Sequence, residues 1–116
     1  MLSKIFFVVL SVSIMFISCG REESFDETLL IGKWKQGDLY YKYLSDYNGA
    51  SWDESDDVHE DEAQPFTWSL VGSKLRQIHD AFGMPLPKTY TVTELTATTL
   101  KYRDAFNKRY SFIKVE

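Results

Sequence analysis

From Ile31 to the C-terminus, apolar and polar residues alternate with period two rather than 3.6. Phe66, Trp68 and Leu70 alternate with Thr67 and Ser69, and Tyr90 and Val92 with Thr89, Thr91 and Thr93. Leu100 and Tyr102 alternate with Thr99, Lys101 and Arg103, and Tyr110 and Phe112 with Arg109 and Ser111. Successive side chains on a pleated backbone point to opposite sides, so each run is a strand with one buried face. Threonine, tyrosine, tryptophan and valine dominate these runs, and all of them suit a half-buried pleated surface. No helical stripe of comparable length interrupts them. The pattern predicts strands over roughly 31–36, 38–47, 50–53, 65–71, 74–79, 88–95, 98–103 and 108–115.

The connections are short. Tyr47-Asn48-Gly49-Ala50 carries the Asn-Gly pair that favours a hairpin turn, since both central residues tolerate positive φ. Gly72-Ser73 suits a two-residue turn, Thr96-Ala97 joins the next pair, and Asp104–Asn107 closes the last, with Asn107 in the left-handed region. Strands joined in sequence by hairpins form an antiparallel meander, and a meander disposes of its edges by closing. The expected fold is therefore all-β: a small antiparallel up-and-down β-barrel of seven or eight strands. Its inward positions would be Trp34, Phe66, Trp68, Tyr90, Tyr102, Tyr110 and Phe112.

The first eighteen residues are of another kind. Lys4 precedes an uncharged apolar run over residues 5–18. As a helix that run reaches about 21 Å, short of the roughly 30 Å bilayer core, and it suits the apolar region of an export signal. The chain's single cysteine follows it, and Phe16-Ile17-Ser18-Cys19 resembles the lipobox of bacterial lipoproteins. The resemblance implies a signal peptide over 1–18, acyl chains on Cys19 that hold the protein to a membrane, and an acidic, mobile tether over 19–30. Glu22 and Glu23 resemble the acidic signal that sends some lipoproteins to the cell surface. The expected location is the outer membrane, at its periplasmic face or the cell surface.

Residues 29–116 resemble the short lipocalin-like domain of Bacteroidota lipoproteins. The likeness rests on Gly32-Lys33-Trp34, Asn48-Gly49, Phe66-Thr67-Trp68-Ser69-Leu70, Lys88–Leu95 and Thr98-Thr99-Leu100, in that order. It implies a lipocalin-like barrel over 31–116 without catalytic residues. In larger lipocalins the first-strand tryptophan is covered by an arginine of the last strand, a role the resemblance offers here to Arg109 or Lys114. This chain is shorter by several tens of residues, so its barrel either encloses a small apolar ligand or is filled by its own side chains. The ligand-lining candidates are Trp34, Trp68, Tyr90, Tyr102 and Tyr110, with Phe82 and Met84 at the mouth.

Charge adds two features. Residues 53–62 (DESDDVHEDE) hold seven carboxylates and no basic residue, while the rest of 31–116 carries eleven Lys/Arg against six Asp/Glu. The spacing of Asp53, Ser55, Asp57 and Asp61 invites a Ca²⁺ reading, but Val58 and Gln64 stand where an EF-hand needs glycine and glutamate. A solvated acidic loop is the expectation, free to lie across strands bearing Lys74, Arg76, Lys101 and Arg103, or to attract a cationic partner. Residues 80–87 (DAFGMPLP) read as an apolar loop that Pro85 and Pro87 keep from regular pairing. It would lid the barrel mouth, or plug it with Phe82 and Leu86.

Tyr41 and Tyr43 share one face of their strand and Tyr40 takes the other, so an outward tyrosine with Trp52 nearby offers a surface for stacking on a sugar ring. His59 and His79 lack a nucleophile motif or metal-ligand spacing. No enzyme, metal or cofactor is expected. The acidic balance argues against nucleic acid, which leaves the membrane, a small apolar ligand or an envelope protein as partners. In the last case the acidic 53–62 and apolar 80–87 segments would form the docking surface around a filled core.

Overall fold

The structure is a computed structural model that describes residues 24–116, and the lipobox with Cys19 and the acidic pair Glu22-Glu23 lie outside them. Eight strands follow one another: β1 (Gly32–Gln36), β2 (Leu39–Tyr43), β3 (Asn48–Asp53), β4 (Gln64–Val71), β5 (Lys74–Ala81), β6 (Met84–Leu95), β7 (Thr99–Arg103) and β8 (Arg109–Lys114). Each pairs antiparallel with its neighbour in sequence, and β8 returns to β1, closing an up-and-down barrel. The closing seam is short, with Trp34 opposite Lys114 and Lys35 opposite Ile113. Two backbone bonds extend it, Lys33 N–H to Glu116 O (2.9 Å) and Val115 N–H to Lys33 O (2.8 Å). Where the strands diverge, the Gln36 side-chain oxygen accepts from Ser111 N–H at 3.0 Å.

The period-two alternation is reproduced in β2, β4, β5 and β7, while a bulge between Val92 and Glu94 shifts its phase in β6. In β4, Phe66, Trp68 and Leu70 are buried while Thr67, Ser69 and Val71 face out. In β2, Tyr41 and Tyr43 point inward and Tyr40 outward. The Gly72-Ser73 turn and the Asn107 left-handed position also stand as expected, with φ of 61° at Gly72 and 63° at Asn107. Asp104 fastens the last turn by accepting from Phe106 N–H and Lys108 N–H, both at 2.9 Å.

Asn48-Gly49 does not form a turn. Both residues open β3, and the turn lies three residues earlier, over 44–47, with the positive φ (67°) on Tyr47. Gly49 serves close packing instead. A Cβ there would sit 2.6 Å from the Lys42 carbonyl oxygen and 2.6 Å from the Phe66 ring, which occupies the vacant space.

The stretch expected to be a mobile tether is ordered from Phe25 and caps one end of the barrel. Glu27–Leu29 form a 3₁₀ turn capped by Asp26, whose carboxylate accepts from Thr28 N–H. Leu30 is fully buried, and Phe25, Leu29 and Ile31 pack against the core. The reason is the exposed rim beneath Trp34, which apolar residues just upstream of β1 can cover. Trp34 Nε1–H donates to Leu30 O at 2.8 Å, and Phe25 N–H donates to Gly72 O at 3.1 Å. Lys114, not Arg109, covers the tryptophan: its ammonium lies 5.3 Å from the ring centre and donates to Leu29 O at 3.2 Å. The chain thus enters at the end carrying the 44–47, 72–73 and 96–98 turns. The opposite, free end carries the 37–38, 54–63, 82–83 and 104–108 connections.

The glycine requirement is directly measurable. Gly49→Ala forces Phe66 or the β2 backbone to shift, and chemical denaturation should register a loss of about 1–3 kcal/mol, the usual cost of overfilling a packed core.

Candidate functional site

The candidate ligand-lining residues do not converge on a cavity. Tyr90, Tyr102 and Tyr110 pack against one another, tilted or edge-on, with ring centres 4.4 to 5.8 Å apart, and Tyr102 meets Phe112 at 5.3 Å. Phe112 in turn meets Tyr41 edge-on at 5.6 Å. Tyr43 packs against Phe66 at 5.5 Å and against Trp68 at 5.6 Å. Trp34 is sealed at the chain-entry end, as described. Contacts of this spacing leave the interior to the protein's own rings. Trp34, Trp68, Tyr90 and Tyr102 are core residues. Phe82 and Met84 lie elsewhere altogether.

A polar chain runs through this aromatic interior. Gln77, fully buried, donates from its amide to Tyr43 OH at 2.7 Å, and its carbonyl oxygen lies 2.8 Å from His79 Nε2. With the amide nitrogen committed to Tyr43, the carbonyl accepts, which assigns the Nε2–H tautomer to His79. Burial raises the Tyr43 and Tyr102 hydroxyls well above the ordinary tyrosine range, and pushes Tyr41 up to about 12. Burial, with Lys88 nearby, holds the His79 imidazole down at about 4. The ring lies 4.9 Å from Phe66, at the point where the barrel gives way to the hairpin above it.

That hairpin is the unexpected element. Residues 80–87 do not form a loop. Strands β5 and β6 continue pairing to Ala81 opposite Met84, and only Phe82 and Gly83 turn, with φ of 55° and 83°. Two positive values at the centre of a two-residue connection give the turn whose twist suits a hairpin. In such a hairpin the pairs alternate between those that exchange backbone hydrogen bonds and those that do not. Counting from Ala81–Met84, the pairs Asp80–Pro85 and Ile78–Pro87 exchange none, so neither proline removes a needed donor. The proline nitrogens face the other edge of β6, which β7 leaves unpaired below Thr91. They block strand addition there.

The hairpin neither plugs nor lids the mouth. Phe82 is 107% exposed, Met84 68% and Leu86 43%, and Ile78 on the opposite face is 37% exposed. The strands outrun their neighbours: β4 stops pairing at His79 and β7 at Thr91, so the tip has no sheet to fold against. Phe106, in the β7–β8 turn at the same end, is 92% exposed. Between that turn and the free edge of β6 lies a groove of about 330 Å³ lined by Lys88, Thr89, Tyr90, Asp104, Phe106 and Tyr110. Phe106 carried a signal the alternation could not use: an aromatic inside a turn, with no strand partner to bury it.

The acidic loop is built rather than slack. Two 3₁₀ turns, Glu54–Asp56 and Glu60–Glu62, fold it back over β1 and β2. Glu60 forms ion pairs with Lys33 at 2.7 Å and Lys42 at 3.1 Å, and Lys33 also meets Glu116 at 2.9 Å. The loop therefore lies on β1–β2, not across the strands bearing Lys74, Arg76, Lys101 and Arg103, because Lys33 and Lys42 draw Glu60 to that side of β3. Trp52 is correspondingly unavailable for stacking on a sugar. Its ring is 4% exposed, lies parallel to Tyr40 at 5.0 Å and has the Lys33 ammonium 5.7 Å from its centre. Among the described residues no three His, Cys, Asp or Glu side chains converge as a metal site.

The polar chain predicts a pH dependence of stability. The unfolded chain protonates a histidine near 6.5, whereas the folded protein keeps His79 neutral down to about 4. Stability is full above pH 6.5 and falls as the pH drops toward 4, since only the unfolded state takes up the proton in that window. The loss is on the order of 1–3 kcal/mol, reduced by the partial solvent access of the ring. Denaturation midpoints measured from pH 7 to 4 should fall more steeply for the native chain than for His79→Gln. Equal slopes would contradict the assignment.

Comparison with known proteins found no matching family model, no matching curated protein and no matching solved structure.

Proposed function

We propose that this chain is a non-catalytic, lipid-anchored interaction module of the outer membrane that docks on an envelope protein through the free end of its barrel. One observation carries the reading: Phe82, Met84 and Leu86 are displayed to solvent on a hairpin that projects beyond a filled core. Large apolar side chains grouped at one end of a small domain mark a contact surface. A lipocalin-like binder would need the interior space that Tyr41, Tyr43, Phe66, Trp68, Tyr102 and Phe112 occupy here.

The partner chemistry is drawn from the acidic connection that leaves the barrel at the same end as the tip and folds down over β1–β2. Loop 54–63, rich in carboxylates, emerges at the same end, and of its acids Glu60 is committed to lysines. The complementary surface is an apolar hollow with a basic rim. Prolines on the β6 edge favour side-chain docking over strand addition. The described chain enters at the opposite end, where Phe25 meets Gly72, so acyl chains on Cys19 would leave the hairpin pointing away from the anchoring membrane.

Two measurements test this reading. Cys19→Ser should move the protein from the membrane fraction to the soluble fraction of fractionated cells. A photo-crosslinker placed at Phe82 should give one discrete protein adduct in cells, whereas one at Val71, exposed at the chain-entry end, should not. Adduct yield should drop severalfold when Met84 and Leu86 become serine, and again when Asp56, Asp57, Asp61 and Glu62 are neutralised. Indifference to these changes, or an apolar molecule retained inside the barrel by native mass spectrometry, would contradict it.

A further inference from the structure

The outer face of β6–β8 presents a second feature, independent of the hairpin. Strand register sets Lys74 opposite Thr91, Thr91 opposite Arg103, and Arg103 opposite Arg109, all pointing away from the core. Directly opposed side chains in an antiparallel pair stand about 4.5–5.5 Å apart at Cβ, so Arg103 and Arg109 bring two like charges together, an arrangement that opposes folding. Among the described residues neither guanidinium has a carboxylate partner. Lys101 sits on the next outward row of β7, opposite Ser111, with the Glu94 carboxylate 4.0 Å away. Asp104 follows Arg103 in sequence, but its Oδ1 accepts from the N–H groups of Phe106 and Lys108.

A groove of about 360 Å³ is lined by Thr93, Lys101, Arg103, Arg109 and Ser111, together with Tyr102 and Tyr110. The bulge between Val92 and Glu94 shifts the β6–β7 register beside Thr93 and helps shape the wall. The acidic loop, clamped to Lys33 and Lys42 on β1–β2, leaves this face uncovered.

We propose that this groove binds an oxyanion ester, a phosphate or sulfate group, with Arg103 and Arg109 as its paired ligands. Lys101 supplies a third charge and the Ser111 hydroxyl a neutral donor, while the Thr93 hydroxyl donates to Lys101 O at 3.3 Å and fixes the wall of the groove. A tetrahedral oxyanion suits the site because its several oxygens accept from two adjacent guanidinium forks at once. Bound there, it turns the Arg103–Arg109 repulsion into a shared attraction. The same chemistry is offered by a soluble phosphoester and by a phospholipid headgroup.

Pyrophosphate and lipid vesicles separate these sources. With the Cys19→Ser chain, so that acyl insertion plays no part, pyrophosphate should give saturable amide shifts confined to Thr93, Arg103, Arg109, Ser111 and their neighbours. Arg103→Gln and Arg109→Gln should each weaken binding roughly tenfold, the loss expected for one charge-assisted contact, while Lys35→Gln on β1 leaves it unchanged. In anion-free buffer the two arginine variants should melt no lower than the parent, which distinguishes lost binding from lost folding. Pelleting with phosphatidylcholine vesicles that contain phosphatidylglycerol, but not with pure phosphatidylcholine, would identify the headgroup as the source. Pelleting that fails while pyrophosphate binds would identify the soluble ester. Absence of both, or binding that survives in both arginine variants, would overturn the proposal.

Discussion

Ring-on-ring packing inside a narrow barrel is the constraint from which the rest of this structure follows. Eight strands, most of them five to eight residues long, enclose a space in which Tyr41, Tyr43, Phe66, Trp68, Tyr90, Tyr102 and Phe112 touch one another. Each aromatic contact of this kind adds on the order of 0.5–1.5 kcal/mol beyond the area it buries, and large rings are the economical way for a domain this small to build a core. The hydroxyls that come with tyrosine then need partners. Gln77 and His79 supply a polar chain from Tyr43 toward the mouth, which is why a glutamine is fully buried among rings. A core filled in this way pushes recognition outward, onto the ends and the outer faces.

Closure imposes a second condition. The β1–β8 seam has few ladder pairs, so side chains strengthen it: Gln36 reaches Ser111, and Lys114 lies over Trp34 and holds the carbonyl of Leu29. The segment before β1 completes the end that the seam leaves exposed. The two ends of the barrel consequently differ. One is capped by Phe25, Leu29 and Leu30, and the other is open to solvent with Phe82 and Phe106 at its rim. Charge is divided as well, with carboxylates drawn to β1–β2 by Lys33 and Lys42, and Arg103 and Arg109 on β7–β8 without a carboxylate partner among the described residues.

Strand positions and the barrel itself were legible because alternation is a local signal that tertiary context here reinforces. Phe66, Trp68 and Leu70 show it most clearly, and the same phase carried through to Phe112. What escaped was every feature decided by a distant neighbour. The glycine of Asn48-Gly49 is required by the Phe66 ring across the sheet, not by the turn its dipeptide suggests. Pro85 and Pro87 look like breakers until pairing parity places their nitrogens on a free edge. Leu29 and Leu30 look like tether residues until Trp34 is seen to lack a cover. The opposition of Arg103 and Arg109 was implicit in the turn at 104–108, but it emerges only when residues are counted outward from both sides of that turn.

A filled interior is closed to guests. A brominated fatty acid quenches tryptophan on contact, and Trp34 and Trp68 mark the two sides of the core at the chain-entry end. Titrating the protein with such a fatty acid should leave their fluorescence without saturable, stoichiometric quenching. Quenching that saturates at one fatty acid per barrel would show an accessible cavity and contradict the account.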